Sequence, residues 1–146
     1  MKRMVFAIAF LLMALAACAP QAQTSKVGSI EIVSPWVMAA DSGANTAAFM
    51  VLKNTGGQAD KLVKVEFADA METGIHETKI VDDVMKMSAI EALDIPANGA
   101  VELKSGSYHV MMMGLMKDLT DGEKVNLTFT FEKAGSTTVA IEVRNP

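Results

Sequence analysis

Both histidines of this chain of 146 residues stand at short, defined distances from methionines. Ten residues separate His76 from Met87, twenty-one separate Met87 from His109, and only Val110 lies between His109 and Met111. Two neutral imidazoles and two thioethers form an uncharged set of donors, and soft sulfur ligands favour Cu(I) over Zn(II), Mg(II) or Ca(II). Thioethers lose no proton and form no disulfide, so they remain ligands in an oxidising compartment. The spacing therefore predicts an extracytoplasmic Cu(I) site.

The segment around His109 has the character of a β-strand, in which successive side chains point to opposite faces. His109 and Met111 then share one face, while Val110 and Met112 lie on the other. One strand can therefore supply two of the four donors.

Val81-Asp82-Asp83-Val84 is typical of a turn that joins two strands of a hairpin. Such a hairpin would bring His76 and Met87 toward each other, and the His109 strand would supply the second pair of donors. We expect the four side chains to converge at a loop-rich end of the domain, partly exposed for metal transfer.

Two further methionines share a strand face with predicted ligands: Met85 with Met87, and Met113 with Met111. Each could act as an auxiliary or exchanging thioether. Packing around the site is the simpler interpretation for both, because methionine commonly fills irregular gaps.

Short alternating or β-branched runs separated by turn residues dominate the chain from Ser29 onward. The clearest pair is Val125–Phe131 and Thr137–Val143, which flank Lys133-Ala134-Gly135-Ser136 and indicate a hairpin. Several such strands without a convincing helix favour an all-β protein built as an antiparallel β-sandwich.

The first 17 residues have the features of a signal peptide rather than of the fold, with a basic start and an apolar stretch too short to span a membrane. Leu15-Ala16-Ala17-Cys18 is typical of a bacterial lipobox, in which Cys18 would carry the lipid. An ordinary secretory peptide cleaved nearby is the alternative. We predict a flexible linker over 18–28 and a metal-binding domain over 29–146.

The charge and the motifs of the chain argue against several classes of function. The net charge is −4 and becomes −6 once Lys2 and Arg3 leave with the signal peptide, so the surface lacks the basic stripe of a nucleic-acid binder. The chain has no phosphate-cradling glycine loop, no order of Ser, His and Asp typical of a triad, and no nucleophilic cysteine beyond Cys18. The sequence does not predict an enzyme.

The spacing H-x10-M-x21-H-x-M closely resembles the signature of the periplasmic copper(I) chaperones called PCuAC. Other segments resemble family landmarks: Ser34-Pro35-Trp36, Leu52 to Gly57, Ile95 to Gly99, Tyr108 to Leu115 and Leu127-Thr128-Phe129. The resemblance implies a cupredoxin-like β-sandwich that delivers Cu(I) to the CuA centre in subunit II of cytochrome c oxidase, often beside a Sco-type thiol protein.

This chain departs from many PCuAC proteins in two ways. It ends at Asn145-Pro146 without the tail rich in His and Met that adds a Cu(II) site in some members, so one Cu(I) per chain is expected. The apparent lipid anchor at Cys18 is the second departure and implies a periplasmic or other extracytoplasmic protein held at a membrane.

Two other classes of protein share the predicted architecture. A metal-free interaction or adhesion lipoprotein would not need the spacing of His and Met, and it would be favoured if His76 and His109 proved distant. A blue-copper electron carrier would need a cysteine thiolate beside two histidines, and Cys18 lies outside the predicted domain.

Overall fold

A computed structural model describes residues 23–145. The predicted signal peptide and Cys18 lie outside this range. The described part of the chain contains strands and turns, and no helix in it is long and apolar enough to span a bilayer.

Eleven strands follow one another along residues 23–145. They are β1 Thr24–Val27, β2 Ile30–Met38, β3 Thr46–Asn54, β4 Asp60–Phe67, β5 Ala70–Val81, β6 Val84–Ile90, β7 Leu93–Ile95, β8 Ala100–Leu103, β9 Tyr108–Leu115, β10 Lys124–Phe131 and β11 Gly135–Arg144.

The strands pair in the order β6-β5-β9-β8-β3-β2-β11-β10-β4-β7, with β1 beside β2 and a direct pairing of β9 with β3. Most pairs are antiparallel. The parallel exceptions are β2 with β11 and a single register pair between β8 and β9. The path folds over a shared core, which confirms the predicted all-β, cupredoxin-like sandwich.

The hydrophobic core consists of the inward faces of these strands. Side chains from strands at both ends of the strand order pack against one another there and are fully buried. This is expected when alternate residues of each strand face inward. The fully buried side chains include Ile30, Ile32, Leu52, Leu62, Ile95, Val110, Met112, Leu127, Phe129 and Ile141.

Both predicted hairpins form. β10 and β11 pair from Val125 with Ile141 to Phe131 with Gly135, and β5 and β6 pair from Ile75 with Ile90 to Val81 with Val84. Their formation confirms the local interpretation of the two turns.

The predicted linker is wrong from Thr24 onward. β1 pairs with the first half of β2, from Thr24 with Val33 to Val27 with Ile30, and the Ser34 N–H donates to the Gln23 carbonyl at 2.7 Å. The sequence of this stretch is polar and has no strand-like alternation, so it did not predict β1. The strand forms because the backbone of β2 offers hydrogen-bond partners along its first half.

Candidate metal centre

The two histidines stand directly opposite each other on neighbouring strands. In the register of β5 with β9, His76 pairs with His109 and Gly74 pairs with Met111. The ring centroids of the two imidazoles are 5.9 Å apart, with their planes inclined by 37°. A metal bound at about 2 Å from one nitrogen of each ring would hold the ring centres roughly 5–6 Å apart. The rings are therefore spaced to share one ion.

The predicted ligands lie on the outer face of the sheet. Ile75, Val110 and Met112 alternate with them and are buried in the core, so His76, His109 and Met111 point to the opposite side. All four predicted ligands belong to strands, and the loop residues Asn45, Ser105 and Gly106 line the cleft beside them. A sheet face holds such side chains more firmly than loops would, because each strand is fixed by its neighbours.

His109 is buried, with 5% of its surface exposed. Its Nδ1 lies 3.1 Å from the Ser107 carbonyl oxygen. A carbonyl can only accept, so Nδ1 carries the proton and Nε2 keeps its free lone pair. The Thr78 N–H donates to the same carbonyl at 3.1 Å and holds it in place. This contact orients the ring as second partners orient histidines in metal sites.

His76 is half-buried, and its Nδ1 is buried without a hydrogen-bond partner among the described residues. Its Nε2 leans along β5, where a Cβ added to Gly74 would come within 3.4 Å of it. Because Gly74 is opposite Met111, the missing side chain leaves room for the imidazole beside the thioether. Burial, and then the neighbouring His109, lower the pKa of His76, whereas Glu72 raises it. The imidazole is thus kept in the neutral form that a metal requires.

Met87 reaches the site from the β5–β6 hairpin. The turn residues Asp82 and Asp83 have φ of 54° and 61°, as a two-residue type I′ turn requires. This turn sets Met87 opposite Thr78, one position along the same face from His76. Diagonal neighbours on a sheet face are within reach of long side chains. Met87 is 53% exposed, so about half of its side chain is free of packing contacts on the side from which an ion could be reached.

A cleft of about 270 Å³ opens over this face. His109 and Met111 of β9 and Met87 of β6 line it, whereas His76, on β5 between these two strands, does not. Met85 also lines the cleft, but Met113 does not. The complete lining consists of Met38, Asn45, Thr46, Ala47, Phe49, Thr78, Met85, Met87, Ser105, Gly106, His109 and Met111.

Sequence reasoning missed the part of the cleft that β2 and β3 provide. Met38, Ala47 and Phe49 belong to these strands and lie far from the predicted ligands in sequence. No local spacing connects them with the histidines. The resemblance of Ser34-Pro35-Trp36 to a family landmark was the nearest signal, since Trp36 packs on Phe49 with ring centroids 4.8 Å apart.

The donors of this face suit a soft metal. Within residues 23–145, no group of three or more His, Cys, Asp or Glu side chains is arranged to hold a metal ion. Any ion placed between the two histidines would need thioethers to complete its coordination. Such donors favour Cu(I) over harder cations.

The sequence matches a family of proteins described as "Putative lipoprotein LpqE-like" over residues 30–143. The chain belongs to this family. It is also 32% identical to "Putative lipoprotein Lxx21020" of Leifsonia xyli subsp. xyli (strain CTCB07), over 94% of this chain and 87% of the relative.

Solved structures resemble this LpqE-like chain closely. The copper-bound PCuAC domain from PmoF2 is 26% identical with a TM-score of 0.72, and the match covers 85% of this chain and 99% of that domain. The solution structure of Cu(I)-bound DR1885 from Deinococcus radiodurans is 31% identical with a TM-score of 0.65, covering 89% of this chain and 86% of that one. The resemblance to PCuAC is confirmed.

Proposed function

We propose that this protein binds one Cu(I) ion through His76, Met87, His109 and Met111 and carries it as an extracytoplasmic metallochaperone. The observation that carries the proposal is the direct pairing of the two histidines, with ring centroids 5.9 Å apart on the same outer face as Met111. The copper-bound PmoF2 domain and Cu(I)-bound DR1885 share the fold and support the choice of metal.

The site is suited to carrying an ion rather than to catalysis. Four protein donors complete the coordination of Cu(I) and leave no open position for a substrate. The cleft exposes Met87 and Met85 to solvent, with 53% and 69% of their surfaces accessible. A receiving protein could therefore approach the thioether side of the ion first. We assign no enzymatic activity to the chain.

The receiving site that we propose is the CuA centre in subunit II of cytochrome c oxidase, with a Sco-type thiol protein acting in the same assembly step. This step rests on the resemblance to PCuAC chaperones. Membership of a lipoprotein family supports a membrane anchor, which we assign to Cys18. An anchored chaperone would meet such an acceptor at the membrane surface.

Anaerobic Cu(I) titration of the protein lacking residues 1–18, in competition with a chromogenic chelator, tests the metal assignment. We expect one tightly bound ion per chain. A variant carrying His76→Ala and His109→Ala together should lose this binding, because only two thioethers of the proposed set remain. Circular dichroism of the same variant controls for folding.

The alternative function is that of a metal-free interaction or adhesion lipoprotein. A large separation of the two histidines would have favoured it. His76 and His109 are instead register partners on neighbouring strands. A folded wild-type protein without Cu(I) binding at equimolar metal would contradict the copper function and leave this alternative in place. Transfer to a purified CuA domain, followed by the appearance of its absorption bands, tests the proposed acceptor separately.

A further inference from the structure

A fourth methionine sulfur lines the cleft from the side opposite to the β5–β6 hairpin. Met38 is the last residue of β2, half-buried, and its carbonyl accepts a hydrogen bond from Thr46 Oγ1 at 2.5 Å. It borders the cleft and also an adjoining cavity of about 380 Å³ beside Trp36. Among the described methionines, Met38, Met85, Met87 and Met111 line the cleft.

Strand register places Met38 in the same cross-strand row as Met111. Ala47 pairs with Met111, and the pairing of Val37 with Ala48 puts Met38 next to Ala47 on the other side. Backbones two strands apart are about 10 Å from each other. Between Met38 and Met111 stands only the methyl group of Ala47, so no bulky side chain separates the two thioethers.

The gap is small enough for one copper ion to bridge. Metal to sulfur bonds of about 2.3 Å place two coordinating sulfurs up to roughly 4.6 Å apart. The side chains of Met38 and Met111 together then need to span only the remaining distance of about 5 Å between the two backbones. Methionine is unbranched and flexible, which allows this reach.

We propose that Met38 is an exchange ligand, which takes up Cu(I) beside Met111 while the bond to Met87 is broken. The inference rests on the proposed function. In this step one bond from copper to the Met38 sulfur forms and one bond to the Met87 sulfur breaks. Both ligands are neutral, so the ion keeps its charge and no proton moves. The ion thereby shifts from the hairpin toward β2 without passing through an under-coordinated state.

The first experiment compares wild-type protein with Met38→Leu, using the full-length chain purified in detergent. Leucine keeps the apolar volume and removes the sulfur. We expect Cu(I) release to bicinchoninate, followed by stopped flow, to slow about tenfold, which corresponds to a barrier raised by ~1.4 kcal/mol. Equilibrium affinity should fall by a smaller factor. Met116→Leu is the matched control, because Met116 is 59% exposed and lies outside the cleft.

The second experiment detects Met38 directly. With methionine methyl groups labelled with carbon-13, the Met38 resonance should shift or broaden on addition of less than one equivalent of Cu(I). The Met116 resonance should stay in place. An unchanged Met38 resonance together with a wild-type release rate in Met38→Leu would overturn the proposal. A packing role alone would lower the thermal midpoint of Met38→Leu without slowing release.

The two proposals fail differently. Wild-type protein that does not bind Cu(I) removes the proposed function and the exchange step with it. Wild-type protein that binds Cu(I) with no change in its Met38 methyl resonance, together with a wild-type release rate in Met38→Leu, removes the exchange step alone.

Discussion

His109 offers only its Nε2 to a metal, because its Nδ1 donates to the Ser107 carbonyl. His76 differs, since its Nδ1 has no partner within residues 23–145. A buried polar atom without a hydrogen bond costs about 1–3 kcal/mol. His109 is thus oriented by a hydrogen bond within the protein. His76 is not, so a bound ion could supply an interaction that its ring lacks.

The thioethers should decide which metal the site prefers. Replacing Met87 or Met111 by Ala removes a soft donor, which matters most to Cu(I). We expect each substitution to weaken Cu(I) binding at least about tenfold, or ~1.4 kcal/mol. Any binding of Cu(II) or Zn(II) should change much less. Competition titrations with the three metals check this, with Met116→Ala as the control, and equal losses for all three would indicate a site built from the two histidines alone.

Copper affinity should depend on pH through the histidines. Binding needs neutral imidazole, whose ordinary pKa is about 6.5, and methionine does not titrate in this range. The lowered pKa of His76 means that protons compete there only at more acidic pH than at an ordinary histidine. We expect affinity to fall below about pH 6 and to approach two protons taken up per ion released. A chelator competition series from about pH 8 to 5 measures it, and a flat profile would exclude histidine ligands.

The β5–β6 hairpin should control copper binding more than it controls global stability. Its second strand is exposed along most of its length, so few core contacts depend on it. Asp82 and Asp83 adopt positive φ, which disfavours β-branched residues by about 1–2 kcal/mol each. Replacing both by Val should loosen the turn and displace Met87.

We expect this double variant to lose Cu(I) affinity to about the extent of Met87→Ala, while the midpoint of urea unfolding changes little. A Val pair that binds copper as tightly as the wild type would show that the turn does not position Met87. Asp82→Asn with Asp83→Gly is the matched control, because Asn-Gly is the preferred sequence for this turn.

Asp60, the first residue of β4, is hydrogen-bonded to the turn between β10 and β11. Its carboxylate accepts hydrogen bonds from the backbone N–H groups of Lys61, Lys133 and Ala134, at 2.7, 2.9 and 2.9 Å. Burial by itself would raise the pKa of Asp60, but these donors and the Lys133 charge outweigh it and lower the pKa. A lowered pKa contributes stability above the unfolded value near 3.8 that is lost as the pH falls through the folded value.

Asp60→Ala should therefore cost about 2–3 kcal/mol of unfolding free energy at neutral pH, since three backbone N–H groups lose their acceptor. Urea denaturation at pH 7 and near pH 3 checks this. The difference between the wild type and the variant should shrink in acid, and a constant difference would contradict the assigned role.

For the molecule as a whole, the proposed anchor determines where copper can be delivered. Acylation at a lipobox cysteine attaches a protein to the membrane surface. Cys18→Ser should move the protein from the membrane fraction to the soluble extracytoplasmic fraction, with its Cu(I) affinity unchanged, because β1 and the metal centre begin after this residue. Fractionation with immunoblotting measures the change, and an equal distribution of both forms would indicate an ordinary secretory peptide.

The sequence by itself determined the local relations within this protein. Alternation along β9 separates His109 and Met111 from Val110 and Met112 whatever the rest of the fold does. The short turn at Asp82-Asp83 likewise sets the register between β5 and β6 over a few residues. Such relations follow from neighbouring residues, because strand period and turn length are local properties.

Only the tertiary structure decided which strands surround these donors. The order of strands places β9 between β5 and β3, with β2 beyond, and this order depends on pairings between distant segments. It brought Met38 and Ala47 into the row of Met111 and placed both beside the cleft. It also made Thr24–Val27 a strand, since β2 offered an edge to pair with. Pairings of this kind are selected by burial of the whole core, which no single stretch of sequence specifies.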